Sequence, residues 1–366
     1  MLIHYITARD AAVQWNISQR RVAILCAEKR IPGASMLGNM WIIPKDAKKP
    51  QDERMTRHID GDGMLIKPFV KWAGGKSQTL TEIRNRYPSE LGHTILKYAE
   101  PFVGGGAVLF DLLSKYQFSS VYISDINKAL ITTYTEIRDN VEELIFTLKL
   151  NEDIFHQCSD IEEQKKIFHT NRTRFNELIS RDGSGLEIAV FFIFLNKTCF
   201  NGLYRVNRKG EFNVPMGRYK NPRICDEVNL RRVSQALKTV EIIHGNYKNS
   251  EYFIDDQTFV YFDPPYRPLS STSGFTSYAE NGFSDEDQKE LAGYIDVLHA
   301  KGAYILASNS DPRNKNPDDS FFDNLYQKYN ISRIQASRTI NSNRDGRGKI
   351  NELLIDNYMK KGEKYA

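Results

Sequence analysis

Four cysteines are scattered through 366 residues, at Cys26, Cys158, Cys199 and Cys225, and they form neither a C-x-x-C pair nor a finger spacing. The spacing argues against structural zinc or another metal and for a reducing, cytoplasmic setting. No apolar run approaches the roughly 20 residues that a membrane span needs, so no membrane partner is expected. The amino terminus, MLIHYITARDAAVQW, lacks the basic start and continuous apolar core of a signal peptide. Charge is not one-sided either: 50 Lys and Arg against 46 Asp and Glu leave a net charge of +4, too mild to predict a nucleic-acid partner by itself. A phosphate loop is also missing. Gly75-Lys76-Ser77 matches its end, but Val70 stands where the motif needs its first glycine, which excludes a nucleotide kinase.

What is present begins with a separate-looking first segment. Ala11, Ala12 and Trp15 share one helical face, the pattern breaks near Asn16 and Ile17, and it restarts from Ser18 as an N-cap. The second helix carries Arg20, Arg21 and Lys29; ASML and MWIIP then flank Gly38-Asn39 as a hairpin would. Residues 1–48 resemble a winged helix-turn-helix of the excisionase and MerR type, with a small module that touches another protein as the alternative. Residues 49–66, polar and charged and containing Gly61 and Gly63, read as a linker.

The long remainder, residues 67–366, reads as an α/β domain. ILKYAEPFVGGGAVLFDLL is a short strand, a glycine turn at Gly104 to Gly106 and a helix from about Ala107. Such a turn leaves room for a ligand against the helix's first N–H groups. A second strand ends in Asp125, and 125 − 106 = 19 residues, which matches the acidic residue about 20 positions on that bonds ribose hydroxyls in doubly wound nucleotide folds. An adenosine ligand is the expectation.

TFVYFDPPYRP then closes what reads as a third strand with Asp263, Pro264, Pro265 and Tyr266. Prolines have fixed φ and no N–H, so their carbonyls can be held outward. An acidic acceptor, an outward carbonyl and an aromatic face together suit a planar ring bearing an –NH₂ group. The ring donates one amino proton to Asp263 and one to the Pro264 carbonyl while it stacks on Tyr266, and its nitrogen lone pair is turned toward an electrophile such as a sulfonium methyl.

Between Asp125 and the next strand, TVEIIHGNY, lie more than a hundred residues, too many for a loop and one helix. Residues 135–237 therefore read as an inserted, mostly helical domain. Within it, Asn196 to Arg223 hold seven Lys and Arg against one acid, Glu211, in a hairpin with Gly210 at its tip. A solvated loop could look like this, but interleaved asparagines with Tyr204 and Tyr219 also suit base edges and phosphates.

Taken in order, FVKWAGGK, EPFVGGG, SDIN, NGLYRVNRKGEFNVPMGRYKNP, YFDPPY and SRTINSNRDGRGKINELLI resemble the Dam-type (D12 class, N6 adenine-specific) DNA methyltransferases from Lys67 to about Lys361. The resemblance implies a doubly wound, Rossmann-like methyltransferase sheet with an inserted target-recognition domain. It implies S-adenosyl-L-methionine as methyl donor and double-stranded DNA as partner, with a restriction endonuclease as an accompanying activity. Trp72, Lys76, Asp125 and Asp263 fall on the family's cofactor positions, joined by Phe102, Gly104 and Gly106 of the glycine turn. Asn201 and Arg205 fall on base-contacting positions and Tyr219 near the duplex, with Asn207, Arg218 and Lys220 completing the DNA-facing set. Met216 replaces a phenylalanine common in the family. GATC is the implied site. A paired adenine cannot reach a sulfonium, so it must be flipped out of the stack; residues 267–283, with Phe275 and Tyr278, read as a flap over it. Two other readings stay open: a DNA-binding regulator with a silent methyltransferase fold, and an RNA or protein N-methyltransferase, whose corner usually carries Asn in place of this Asp.

Overall fold

The computed structural model describes residues 5–15, 19–27, 30–37, 40–47, 66–267, 283–337 and 349–358. The chain divides into two compact units, Met1–Met64 and Leu65–Ala366.

In the first unit a strand, β1 (Tyr5–Thr7), leads into α1 (Ala8–Trp15), followed by α2 (Gln19–Ala27), β2 (Ser35–Leu37) and β3 (Met40–Pro44). Thr7 and Asp10 cap α1 reciprocally: the Asp10 N–H donates to Thr7 Oγ1 at 3.2 Å and the Thr7 N–H to Asp10 Oδ2 at 3.2 Å. Ala8, Ala11, Ala12 and Trp15 form its buried stripe against Val22, Leu25, Ile31 and Ile43. The strands pair antiparallel in the order β1-β3-β2. Strand β1 is too short for any period to reveal. The expected helix break, the Ser18 cap and the Gly38-Asn39 tip lie outside the described residues, as does residue range 49–65 of the linker.

The second unit is built on a seven-stranded sheet. In chain order its strands are β4 (Lys97–Glu100), β5 (Ser120–Asp125), β6 (Val240–His244), β7 (Thr258–Phe262), β8 (Tyr304–Ser310), β9 (Asn330–Ser337) and β10 (Lys349–Asp356). They lie in the order β6-β5-β4-β7-β8-β10-β9; the first five are parallel, and β10 is antiparallel to both neighbours. This mixed, mostly parallel arrangement is Rossmann-like. The strand that ends in the Asp-Pro-Pro-Tyr corner is thus the fourth of this sheet, not the third. All five of its residues are buried, as a central parallel strand covered on both faces requires. Strand order reverses between β4 and β7, and ligands bind outside the carboxyl ends at such a switch point.

Helices cover both faces. α3 (Leu80–Arg84) precedes the sheet, α4 (Ala107–Leu113) follows β4, and α5 (Lys128–Asp139) follows β5, with the Asn127 side chain capping it through the Leu130 N–H. Four more helices come before β6: α6 (Val141–His156), α7 (Ile161–Ser180), α8 (Gly185–Thr198) and α9 (Glu227–Ala236). The apolar run IAVFFIFL of α8 is buried except for the half-buried Phe191. Among the described residues no helix is long and apolar enough to cross a membrane. One continuous core joins Tyr98, Val121 and Phe259 of the sheet to Leu148, Phe168, Phe175 and Phe194 of these helices. On the other face α10 (Asp285–Ala300) and α11 (Phe321–Leu325) pack Leu291, Ile295, Leu298 and Phe322 against Ala99, Tyr122, Val260 and Phe262. The basic segment after α8 folds back on itself through isolated bridges, Cys199 to Met216 and Val206 to Phe212, instead of a continuous ladder.

Candidate active site

The carboxyl end of β4 turns through Pro101 to Gly106 into α4. Gly104 has φ +47°, and a Cβ there would sit 2.8 Å from the Trp72 indole; Gly106 has φ +71°, and a Cβ would meet the Tyr134 hydroxyl at 2.5 Å. Only glycine meets both demands, backbone conformation and space. The turn is pinned from β5: the Gly104 N–H donates to Asp125 Oδ2 at 3.0 Å and the Asn127 N–H to Asp125 Oδ1 at 2.9 Å, while the Tyr134 hydroxyl donates to the Gly104 carbonyl at 3.0 Å. Burial pushes the Asp125 carboxyl above its ordinary range, and the N–H groups of Asn127 and Gly104 oppose that rise.

Trp72 is set from the segment after α8. Its ring stacks on Tyr204 with centroids 6.0 Å apart and planes at 22°. The preceding residue is clamped: the Lys71 N–H donates to Asn196 Oδ1 at 2.8 Å, and Asn196 Nδ2 donates to the Lys71 carbonyl at 2.8 Å and to the Gly202 carbonyl at 2.9 Å. Lys71 Nζ reaches the Tyr219 hydroxyl at 3.2 Å.

The corner at the end of β7 is fixed as tightly. Lys76 Nζ lies 2.7 Å from Asp263 Oδ1, donates to the Gly74 carbonyl at 2.7 Å and sits 4.8 Å from the centroid of the Tyr266 ring. Burial alone would favour the neutral amine, but the Asp263 carboxylate, with Tyr261 and Glu352 behind it, holds the ammonium above its ordinary range. Ser308 Oγ donates to the same Asp263 oxygen at 2.8 Å, and the Tyr261 hydroxyl lies 3.0 Å from Ser308 Oγ. The Tyr266 hydroxyl donates to Glu352 Oε2 at 3.1 Å, and Gln288 Nε2 donates to the Pro265 carbonyl at 3.2 Å. Beneath the corner, Glu100 accepts from the Tyr98 hydroxyl at 2.6 Å, and burial pushes its carboxyl up to about 8 despite that bond.

Both arrangements open on one cavity of about 1020 Å³. Trp72, Lys76, Phe102, Gly104, Gly106, Asp125 and the whole of Asp263 to Tyr266 line it, and so does Asn201. The remaining DNA-facing candidates do not. Arg205, Arg218 and Lys220 are exposed on the segment after α8, with Arg205 Nε donating to Asn213 Oδ1 at 2.7 Å. Asn207 Nδ2 donates to Glu211 Oε2 at 2.8 Å, and Tyr219 lies under Lys71 Nζ. Of the expected flap, residues 268–282, Phe275 and Tyr278 among them, lie outside the described residues; Arg267 is engaged by Asp285 at 2.6 Å and Asp319 at 2.8 Å. Glu100, Tyr134, Gln288, Ser308 and Glu352 were not singled out from the sequence. Glu100 opens the quoted EPFVGGG motif, and Glu352 stands in the quoted closing segment; the other three carry no local signal.

The wall from Trp72 through Gly104 to Asp125 could hold a nucleoside: it offers an indole face, a glycine turn without side chains and a carboxylate. The corner offers an acceptor and an aromatic face beside it.

Comparison with known proteins agrees with this geometry. Residues 72–340 match the D12 class N6 adenine-specific DNA methyltransferase family. The chain is 49% identical over 297 residues to the Type II methyltransferase M.MjaIII of Methanocaldococcus jannaschii, covering 81% of this chain and 100% of that protein. It is 38% identical over 300 residues to the Type II methyltransferase M1.LlaDCHI of Lactococcus lactis subsp. cremoris, covering 80% and 96%. To the DNA adenine methylase of Escherichia coli K12 it is 34% identical over 286 residues, covering 78% and 93%. With the family matched across most of its length and the cavity built from that same stretch, the chain belongs to the D12 class of N6 adenine-specific DNA methyltransferases and is an adenine-specific DNA methyltransferase.

Proposed function

We propose that this enzyme transfers a methyl group from S-adenosyl-L-methionine to N6 of an adenine flipped out of double-stranded DNA, within GATC. The observation that carries the reading is the opening of the Gly104–Asp125 wall and the Asp263–Tyr266 corner on one cavity. S-adenosylmethionine supplies an electrophilic sulfonium methyl when bound. Asp125 binds the ribose hydroxyls, Trp72 and Phe102 border the nucleoside, and Gly104 and Gly106 let backbone approach it. Asp263 and the Pro264 carbonyl accept the two amino protons of the adenine, and Tyr266 stacks on its ring. Lys76 holds the Asp263 carboxylate in place through one oxygen, which leaves the other for the amino group. These roles are positioning and electrostatic, the terms that dominate when nucleophile and electrophile are already present.

Sequence reading is assigned to the segment after α8. Asn201, at the cavity wall, and Arg205 contact bases; Asn207, Arg218, Tyr219 and Lys220 face the backbone of the duplex. The first unit acts as a winged helix-turn-helix that adds affinity. The Type II names of two relatives support a restriction endonuclease as the companion activity.

The test is to incubate the protein with tritiated S-adenosylmethionine and plasmid DNA from a host lacking adenine methylation, then to identify the product by mass spectrometry and its context by single-molecule sequencing. N6-methyladenine in GATC is the expected product. No methylated adenine would sink the reading, and methylation confined to another sequence would overturn only the site.

A further inference from the structure

Two consecutive prolines leave the middle of the corner without backbone donors, because neither carries an N–H. The direction of its carbonyls must then be set from outside. Gln288, in the first turn of α10, donates from Nε2 to the Pro265 carbonyl at 3.2 Å. Its Oε1 accepts from Asn309 Nδ2 at 3.1 Å, and Asn309 Oδ1 accepts from the Ser310 N–H at 2.9 Å. The chain of bonds starts at a carbonyl, which can only accept, and ends at an amide N–H, which can only donate. One orientation of both side-chain amides satisfies it. Gln288 is 0% exposed and Asn309 2%. A buried network with its bonds made is stiff, and a broken member leaves a costly orphan.

The carbonyl that matters for the adenine belongs to Pro264, one residue earlier. As the residue before a proline, Pro264 is confined to extended or polyproline conformations. With ψ of Pro264 so confined and φ of Pro265 fixed by its ring, the two residues move nearly as one rigid piece. Tying the Pro265 carbonyl to α10 therefore restrains where the Pro264 carbonyl aims on the cavity wall that both prolines line. We infer that Gln288, braced by Asn309, is a positioning residue for methyl transfer: it sets the acceptor geometry of the Asp-Pro-Pro-Tyr corner without touching substrate. The inference rests on the proposed role of that corner.

Two substitutions of similar volume test it, assayed on unmethylated plasmid DNA with S-adenosylmethionine, alongside calorimetric binding of S-adenosylhomocysteine. Gln288→Met fills the space without a polar atom, and kcat should fall roughly 10- to 100-fold, the loss typical of a misplaced reacting group. S-adenosylhomocysteine affinity and the KM for DNA should stay within about twofold, because binding on the other wall is untouched. Gln288→Glu donates to the Pro265 carbonyl only while protonated, and burial raises its pKa into the assay range. Its activity should therefore recover as pH is lowered from about 8 to about 6, while Gln288→Met stays slow at every pH. A Gln288→Met enzyme with wild-type kcat overturns the inference, and so does a Gln288→Glu profile that parallels wild type. Equal losses of kcat and S-adenosylhomocysteine affinity also overturn it, since they mark a general packing role. If Gln288→Met does not fold, the pH profile of Gln288→Glu decides alone. Wild-type protein that transfers no methyl sinks the reading of the corner itself and the inference with it.

Discussion

Lys76 Nζ and Asp263 Oδ1 lie 2.7 Å apart with the lysine 4% exposed, so a loop before the first strand of the sheet is tied to the end of its fourth. The sign of the linkage follows from the lysine's raised pKa. The pair's contribution is fully present below the ordinary lysine value of 10.5 and is lost only as pH climbs through the higher folded value. Lys76→Met should lower Tm by a similar amount at every pH between about 6 and 9. The cost should be at most the roughly 3–5 kcal/mol of a broken buried pair, and less here because Asp263 keeps some solvent access. A deficit that vanishes at one end of the range would assign the charge elsewhere.

Glu100 titrates in a lower window with the same sign. Between its ordinary value of 4.5 and about 8, the folded protein keeps a proton that the unfolded chain has lost, so stability falls as pH rises through that range. Glu100→Gln removes the titration. Calorimetric Tm measured from about pH 5 to about pH 9 should show a shallower decline in the variant; identical slopes would rule out Glu100 as the source.

Asp125 holds the glycine turn and, in the proposed reading, the ribose. Asp125→Ala should weaken S-adenosylhomocysteine binding by roughly 1.5–3 kcal/mol, the range for hydrogen bonds to a charged group. Unchanged affinity by calorimetry would remove the residue from the site.

Gly104→Ala places a methyl 2.8 Å from the Trp72 indole at a φ of +47°. Strain of this kind costs about 1–3 kcal/mol, and either Trp72 moves or the turn does. Lower Tm together with weaker S-adenosylhomocysteine binding is expected; a neutral substitution would contradict the packing of Trp72 against the turn.

For sequence reading, Arg205→Ala should relax discrimination at one guanine by about 1–3 kcal/mol, whereas Lys220→Ala should weaken all sites alike and lower the salt slope by about one. Deleting residues 1–60 should leave site preference in place. Loss of preference in that deletion would move recognition to the first unit.

The parts of the site that could be read from sequence are those whose chemistry is local. Gly104, Gly106 and Asp125 announce themselves by a turn, a helix start and a fixed spacing, and Asp263 to Tyr266 by an abrupt end to an apolar run. What could not be read are the braces: Ser308 on Asp263, Gln288 on Pro265, Glu352 on Tyr266 and Tyr134 on Gly104 each come from 23 to 86 positions away, on elements whose patterns show only burial. TVEIIHGNY reads as a strand in its own right and is β6, which makes the corner strand the fourth in chain order; β6 has one buried residue in five, whereas β7 is buried throughout.

The bonds from Asn196 to both sides of Lys71 and to Gly202 bear on how such enzymes can be recombined. Helices α6 to α9 share their core with the sheet, and Asn196 of α8 grips the loop that carries Trp72. They are not a cassette that can be cut out and replaced. A chimera that imports a foreign insertion must bring a matching partner for the Lys71 backbone, or import residues 66–72 with it, to keep the tryptophan in register with the glycine turn.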